Sequence, residues 1–465
     1  MNPASLRPGA ARNLTRVQSV GMWLNSVTFR YPARLTMVIF LILILLTTGA
    51  LMLPGASRTP GSTDLVDAFF TAVSAVCVTG LTVVDTSLHW TFFGQTIIAT
   101  GIALGGLGVM TMASLLALVV SRRLGLTQKL LSVQDTRGRL SDTGTLVIGV
   151  IVTTLVAELV LFLVILPSFL ETGHDPASAT WHALFIAISS FNNAGFVSMH
   201  EGLDAYVGNW FVLVPIMLAA AVGAVGFPVI TDLRRNWRKP SGWSLHTKMT
   251  LTTYFALAVV TGVIVAALEW NNSQTLGALP VSDRALNSFV LAITPRSPGM
   301  TAINVGEMTQ ASWLLTDISM FIGGGSGSHA GGIKVTTFAV VMMAAWAEAT
   351  GRKDIEAFHR RIPHETLRQA VAVLLAAVTL VLVVAAALLI ITPFTLDQVL
   401  FEVISAFGTV GLSTGITPHL PAAGKVLLSF LMVVGRVGPM TMATALALRQ
   451  ENRVVRMPSE RPIVG

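Results

Sequence analysis

Eight long apolar runs punctuate the chain, at roughly 35–54, 92–121, 143–170, 207–231, 247–268, 312–350, 366–391 and 422–448. Each reaches the roughly 20 residues that cross a bilayer as a helix. The runs fall into pairs. The connection inside each pair holds a further, moderately apolar stretch of roughly 10–13 residues. Such a stretch is too short to span and predicts a re-entrant segment.

Each short stretch closes on a small-residue motif containing a glycine. The first runs from Asp67 to Gly80-Leu81 and the second from Trp181 to Gly195-Phe196. The third runs from Ala285 to Gly299-Met300 and the fourth from Val399 to Gly411-Leu412. The glycines are 115, 104 and 112 residues apart. The order span, half-helix, glycine motif, span thus occurs four times, and such self-similarity marks a repeated architecture. Two spans return the chain to its starting side, so all four units share one orientation. The expected fold is an all-α polytopic membrane protein: four parallel units around a pseudo-fourfold pore, with eight full spans and four re-entrant pore helices. The expected units are 35–122, 143–239, 245–352 and 366–449, between tails at 1–34 and 450–465.

Composition agrees with lipid as the solvent. Of the 465 residues 53% are hydrophobic and 11% charged, against about 25% charged in a soluble domain. Mean hydropathy is +0.72. The single cysteine, Cys77, leaves no intramolecular disulfide framework and no zinc motif. A net charge of +7 does not point to nucleic acid, because the basic residues sit in short loops between apolar runs. Arg122, Arg123, Lys129, Arg137 and Arg139 follow the second run, and Arg234, Arg235, Arg238, Lys239 and Lys248 cluster around the gap after the fourth. Arg352, Lys353, Arg360, Arg361 and Arg368 follow the sixth, and Arg449, Arg453, Arg456 and Arg461 the eighth. The other connections hold little beyond Arg58, Arg284 and Arg296. The positive-inside rule then places both termini in the cytoplasm. The N-terminal stretch with Arg7, Arg12, Arg16, Arg30 and Arg34 has no small-residue cleavage site and reads as a retained cytoplasmic tail.

The repeated unit suits a cation. Irregular backbone at membrane depth must be buried in protein or line water. Four such segments around one axis present backbone carbonyls, which replace the hydration shell of a potassium ion. Glycine supplies the φ > 0 conformations that turn successive carbonyls toward one axis, and half-helices aim their negative ends at the ion. A single glycine here is as readily a packing residue; four at matching places favour the pore. No Gly-x-x-x-x-Gly-Lys or His-Glu-x-x-His motif is present, and no enzyme is expected. Asp232, His246 and His359 lie near predicted cytoplasmic helix ends and read as partner contacts.

The four-unit pattern, Val78-Thr79-Gly80-Leu81, Asn193-Ala194-Gly195-Phe196 and the run from Met320 through Gly323-Gly-Gly-Ser-Gly-Ser-His-Ala-Gly-Gly332 to Thr337 resemble the Trk/Ktr/HKT superfamily of potassium transporters. The likeness covers about 35–450. The chain has no additional pair of spans ahead of the first unit, which is similar to the membrane subunit of Ktr systems. The resemblance implies a bacterial plasma-membrane protein whose filter comprises Val76, Cys77, Val78, Thr79 and Gly80; Asn192, Asn193, Ala194 and Gly195; Arg296, Ser297, Pro298 and Gly299; and Gly408, Thr409, Val410 and Gly411. Glycine at all four filter positions goes with selectivity for K+ over Na+. The resemblance also implies a homodimer on a cytosolic, nucleotide-binding RCK ring. That ring would be a separate chain, carrying the nucleotide; no tightly bound cofactor is expected here, and sodium as an activator stays open.

The sixth run is far longer than one span. Its six glycines within 323–332 weaken a helix by about 1 kcal/mol each, so a non-helical loop inside the membrane is expected. The resemblance makes this loop, Gly323, Gly324, Gly325, Ser326, Gly327, Ser328, His329, Ala330, Gly331 and Gly332, an intramembrane gate; a flexible kink is the plainer reading. Two cations flank it. Lys334 follows directly and Arg436 lies in the last run, and a membrane-buried charge is a functional hypothesis by default. Arg436 is expected to hold the loop closed and add a positive barrier. Snorkelling, or pairing with loop carbonyls, is the alternative. Glu158, midway along the third run, suits a structural role as well as transport. The family loop usually reads Gly-Gly-Ser-Pro-Gly-Ser-Thr-Ala-Gly-Gly. Here proline is lost, which predicts a looser loop. His329 replaces threonine and is either a pH-sensitive element or a neutral, hydrogen-bonded ring. Cys77 replaces a usual filter threonine, and Ser297-Pro298-Gly299-Met300 replaces Thr-Ala-Gly-Phe. A sodium-coupled secondary transporter also uses broken helices and is the competing function.

Overall fold

The computed structural model describes residues 32–59, 61, 63–123, 143–171, 175–296 and 298–438. Residues 1–31 and 439–465, together with Lys129, Arg137, Arg139 and Ser297, lie outside the described residues.

The described elements form four groups. The first comprises α1 (Pro32–Leu51), α2 (Leu65–Val76) and α3 (Phe92–Arg123). The second comprises α4 (Thr143–Glu171), α5 (Pro176–Phe191), α6 (Trp210–Val225) and α7 (Phe227–Asn236). The third comprises α8 (Leu245–Glu269), α9 (Val281–Ile293), α10 (Gln310–Phe321) and α11 (Val335–Ala349). The fourth comprises α12 (His364–Ile391), α13 (Leu396–Gly408) and α14 (Ala422–Val437). A small antiparallel hairpin, β1 (Ile355–Ala357) and β2 (Arg360–Ile362), joins the third group to the fourth.

By length and composition, three described helices can cross a membrane: Val147–Glu171, Leu245–Glu269 and His364–Ile391. Their outward faces are apolar; Leu155, Val156, Leu159 and Val160 of α4 are each more than half exposed. The short helices have strong start signals. The Asp175 carboxylate accepts from the Ala177 amide at the head of α5, with Pro176 in the first turn. Thr395 and Gln398 form a capping box on α13.

The short helices α2, α5, α9 and α13 each pack against a helix of the preceding group. α5 rests on α3, α9 on α6, α13 on α10, and α2 on α14. The last contact closes the circle. It includes an ion pair between Lys425 Nζ and Asp67 Oδ1 at 2.6 Å, joining residues 358 apart in sequence.

The fourth apolar run differs from the single span expected over 207–231. It bends by 96° between α6 and α7. Gly226, at the bend, has φ +98, and a Cβ there would lie 3.0 Å from the backbone of Gly327. Hydropathy could not reveal the bend, because the chain stays apolar through it. In the last run α14 ends at Val437 and Gly438 follows at φ 92, and residues 439–448 of that run lie outside the described residues.

Asp232, read above as a partner contact, is half-buried and makes local hydrogen bonds. Its Oδ2 accepts from the Ser244 amide (2.9 Å) and the Thr247 hydroxyl (2.6 Å), and its Oδ1 from Asn236 (3.0 Å). Burial alone would raise its pKa; the hydrogen bonds, led by Thr247, outweigh burial and lower it to about 2. A depressed carboxylate stabilises the fold above its ordinary range, and that stability is lost as pH falls toward 2. Asp232→Asn should therefore lower the melting temperature at pH 7. The gap to the parent should narrow as pH drops from 4 toward 2, and thermal scans showing a constant gap would contradict this account.

Candidate functional site

The ends of the short helices build one recurring backbone shape. Cys77 and Asn192 cap α2 and α5 in the right-handed helical region, with φ −78 and −77. The next residue in each is left-handed: Val78 at φ 55 and Asn193 at φ 61; Thr409, the corresponding residue after α13, is at φ 48. Such conformations are rare for residues with a Cβ and cost on the order of 1–3 kcal/mol. The motif glycines then follow with φ 93 at Gly80, 74 at Gly195, 57 at Gly299 and 94 at Gly411.

Hydrogen bonds back to the helices hold this shape. The amides of Thr79, Ala194 and Val410 donate to the carbonyls of Ser74, Ser189 and Ser405 at 2.8, 2.7 and 3.0 Å. In the third loop the Gly299 amide reaches Thr294 O at 3.3 Å. The hydroxyls of Ser74 and Ser405 also accept from the amides of Gly80 (3.0 Å) and Gly411 (3.1 Å). Sequence reasoning missed these serines. The signal was available, since a serine precedes the glycine by six positions in three of the four motifs.

The four loops meet. A Cβ on Gly80 would strike Ala194 O and lie 2.8 Å from Gly195 Cα. One on Gly195 would lie 3.1 Å from Pro298 O, and one on Gly299 would strike Val410 O. One on Gly411 would strike Thr79 O and lie 3.0 Å from Gly80 Cα. The contacts run first, second, third, fourth and back to first: a closed ring of backbone. Val76, Cys77, Val78, Thr79, Asn192, Asn193, Ala194, Thr409 and Val410 are buried around it, and Gly408 lies in the α13 terminus. Arg296 contributes backbone to the third loop. Its buried side chain turns to α8, with Nη2 3.4 Å from Thr261 Oγ1 and the guanidinium over the Tyr254 ring. Among the described residues no group of three or more His, Cys, Asp or Glu side chains could hold a metal ion.

A second element sits against the ring. Between α10 and α11 the chain is non-helical, necked by a bridge between Ile322 and Ile333. Despite the lost proline, many bonds tie the loop. The Gly325 amide donates to Ala224 O (2.8 Å), the His329 amide to Gly223 O (3.2 Å), and the Phe227 amide to Gly327 O (3.2 Å). Ser326 and Thr336 share a hydroxyl hydrogen bond at 3.1 Å, and Ser328 Oγ donates to Gly325 O at 2.6 Å. A Cβ on Gly331 would strike the Thr409 side chain, and one on Gly332 would lie 3.2 Å from Gly408 Cα, so the loop presses on the fourth motif. Gly323 and Gly324 lie as close to Gly331 O and Ala224 O.

Both flanking cations reach this loop. Lys334 Nζ donates to Ala330 O and Arg436 Nη1 to His329 O. The His329 ring is buried and edge-on to Phe191, with centroids 5.4 Å apart, and neither of its nitrogens has a hydrogen-bond partner among the described residues. Glu158 is also buried, and its Oε1 accepts from Asn192 Nδ2 at 2.6 Å.

The chain matches the family model described as "TrkH: Cation transport protein" over residues 19–456. It is 36% identical over 442 residues to the Ktr system potassium uptake protein B of Bacillus subtilis, covering 93% of this chain and 97% of that protein. It is 34% identical over 429 residues to the potassium/sodium uptake protein NtpJ of Enterococcus hirae, covering 90% and 93%. Among solved structures, the potassium transporter TrkH of Vibrio parahaemolyticus superimposes with a TM-score of 0.67 over 88% of this chain and 84% of that one. At 16% identity that likeness concerns the fold. A full-length family match and relatives above 30% identity establish that this chain belongs to the TrkH family of cation transport proteins, which are membrane transporters and not enzymes.

Proposed function

We propose that this chain takes up potassium across the bacterial plasma membrane through a gated, channel-like pore. The closed ring around Gly80, Gly195, Gly299 and Gly411 carries the reading. In it, four parallel repeats with eight spans and four pore helices surround the ion path, and both termini are cytoplasmic. The ring acts as the selectivity filter, its carbonyls replacing water around K+. The 323–332 loop is the gate below it, with Lys334 and Arg436 as its fastenings. The names of the Ktr relatives favour potassium as cargo and membership of a multi-subunit system. A cytosolic RCK ring as regulator, nucleotide on that ring, and a homodimer of this chain complete the proposal.

The name of the Enterococcus relative keeps sodium in view, so sodium-coupled transport is the second reading. Purified protein in liposomes separates the two. A pore gives a reversal potential that follows the potassium gradient and does not move when a sodium gradient is imposed. A coupled transporter gives one that moves with both. Adding an RCK partner with nucleotide should change the flux; no change with any nucleotide would remove the regulatory part.

A further inference from the structure

The second loop is anchored unlike the first and fourth. In those two, a serine hydroxyl on the short helix takes the amide of the motif glycine. The corresponding serine of the second loop, Ser189, is buried, and its hydroxyl has no partner among the described residues. This loop therefore lacks the hydroxyl clamp that the first and fourth use.

A different clamp stands nearby. Asn192, the C-cap of α5, is fully buried. Its Nδ2 donates to Ile188 O at 2.9 Å within its own helix and to Glu158 Oε1 at 2.6 Å on α4. The matching positions in the first and fourth loops are Cys77 and Gly408, and neither side chain can donate such a pair of hydrogen bonds. Gly106 of α3 closes the amide in from the other side; a Cβ there would strike Asn192 Oδ1. Glu158 itself is 8% exposed on a helix whose neighbouring residues face outward and are apolar. A carboxyl at membrane depth is costly, and its hydrogen-bond partner among the described residues is Asn192.

We infer that Glu158 is a positioning residue for the second quadrant of the ring, replacing the serine clamp by fixing Asn192 and, through it, the left-handed Asn193 and Gly195. Glu158 acts from behind the loop and does not touch the ion. Without it the Asn192 amide keeps only Ile188 O, within its own helix, and that quadrant loses its tie to α4 and loosens. The inference rests on the reading of 192–195 as part of the filter.

The test measures reversal potentials in potassium and sodium gradients, in proteoliposomes of the full-length protein. Glu158→Leu should lower the K+/Na+ permeability ratio about tenfold, the equivalent of roughly 1.4 kcal/mol for one lost buried hydrogen bond. Glu158→Gln keeps an acceptor oxygen and should restore most of the ratio. Asn192→Ala removes the same bond from the other side, and combining it with Glu158→Leu should add little further loss. If Glu158→Leu does not fold, Asn192→Ala reads the loss of the same bond, and a parental ratio there overturns the positioning role. Gly195→Ser serves as the reference. A ratio that falls with Gly195→Ser but holds in Glu158→Leu and Asn192→Ala overturns the positioning role alone. A ratio unmoved by Gly195→Ser overturns the filter reading itself. Equal losses in Glu158→Leu and Glu158→Gln would make the residue a general structural element and also overturn the inference.

Discussion

Gly80→Ala should reduce potassium uptake on the order of a hundredfold and abolish preference for K+ over Na+. Two costs combine. Gly80 sits at φ 93, where a Cβ strains the backbone, and that Cβ would overlap Ala194 O and crowd Gly195 Cα at 2.8 Å. Both obstacles are backbone, so no side chain can swing aside. The first or second loop must shift, and the ring's carbonyls lose their common alignment. Strain and displacement together amount to roughly 3 kcal/mol, which corresponds to the stated factor. Gly415→Ala is the control. Gly415 has φ 94, nearly the same as Gly80, yet nothing lies within 4 Å of its added Cβ. It should retain transport near the parent level. Uptake of K+ and Na+ by cells lacking their own potassium systems, at matched protein levels, compares the two. Equal losses in both variants would refute the clash as the cause.

Arg436→Ala should raise the resting flux. The Arg436 guanidinium donates to the His329 carbonyl, and the Gly332 amide donates to Gly435 O at 3.3 Å, so α14 grips the loop at two points. A hydrogen bond to a charged group is worth roughly 1.5–3 kcal/mol, so its loss should shift the closed–open balance by about 10- to 100-fold. On the proposed reading the substitution also removes a positive charge below the filter, which should lower the barrier to a cation. Potassium flux into liposomes without any cytosolic partner is the measurement. Arg436→Lys keeps the charge but loses the fork of donors and should fall between the two. If Arg436→Ala left flux at the parent level, the fastening role would be lost.

How much of this was legible in the sequence follows from the range of each interaction. The four short helices and their glycines could be read because hydropathy, helix-start signals and φ > 0 demand are local. Six glycines in ten residues marked the broken sixth run in the same way. Hydropathy passed over the bend at Gly226, because the chain stays apolar through it, although Gly226 and Pro228 are local break signals. The hydrogen bonds of Asp232 depended on where Ser244 and Thr247 came to lie. The order in which the loops close their ring, the Lys425–Asp67 pair across 358 residues, the Arg436 hold on His329 and the Glu158–Asn192 clamp are likewise contacts between distant segments. The sequence by itself determined the membrane class, the recurring unit and the residues able to take left-handed backbone. Only the tertiary structure decided which carbonyls meet, which charge finds which partner and which loop needs a substitute clamp, because those depend on how packed surfaces fit and not on any neighbour along the chain.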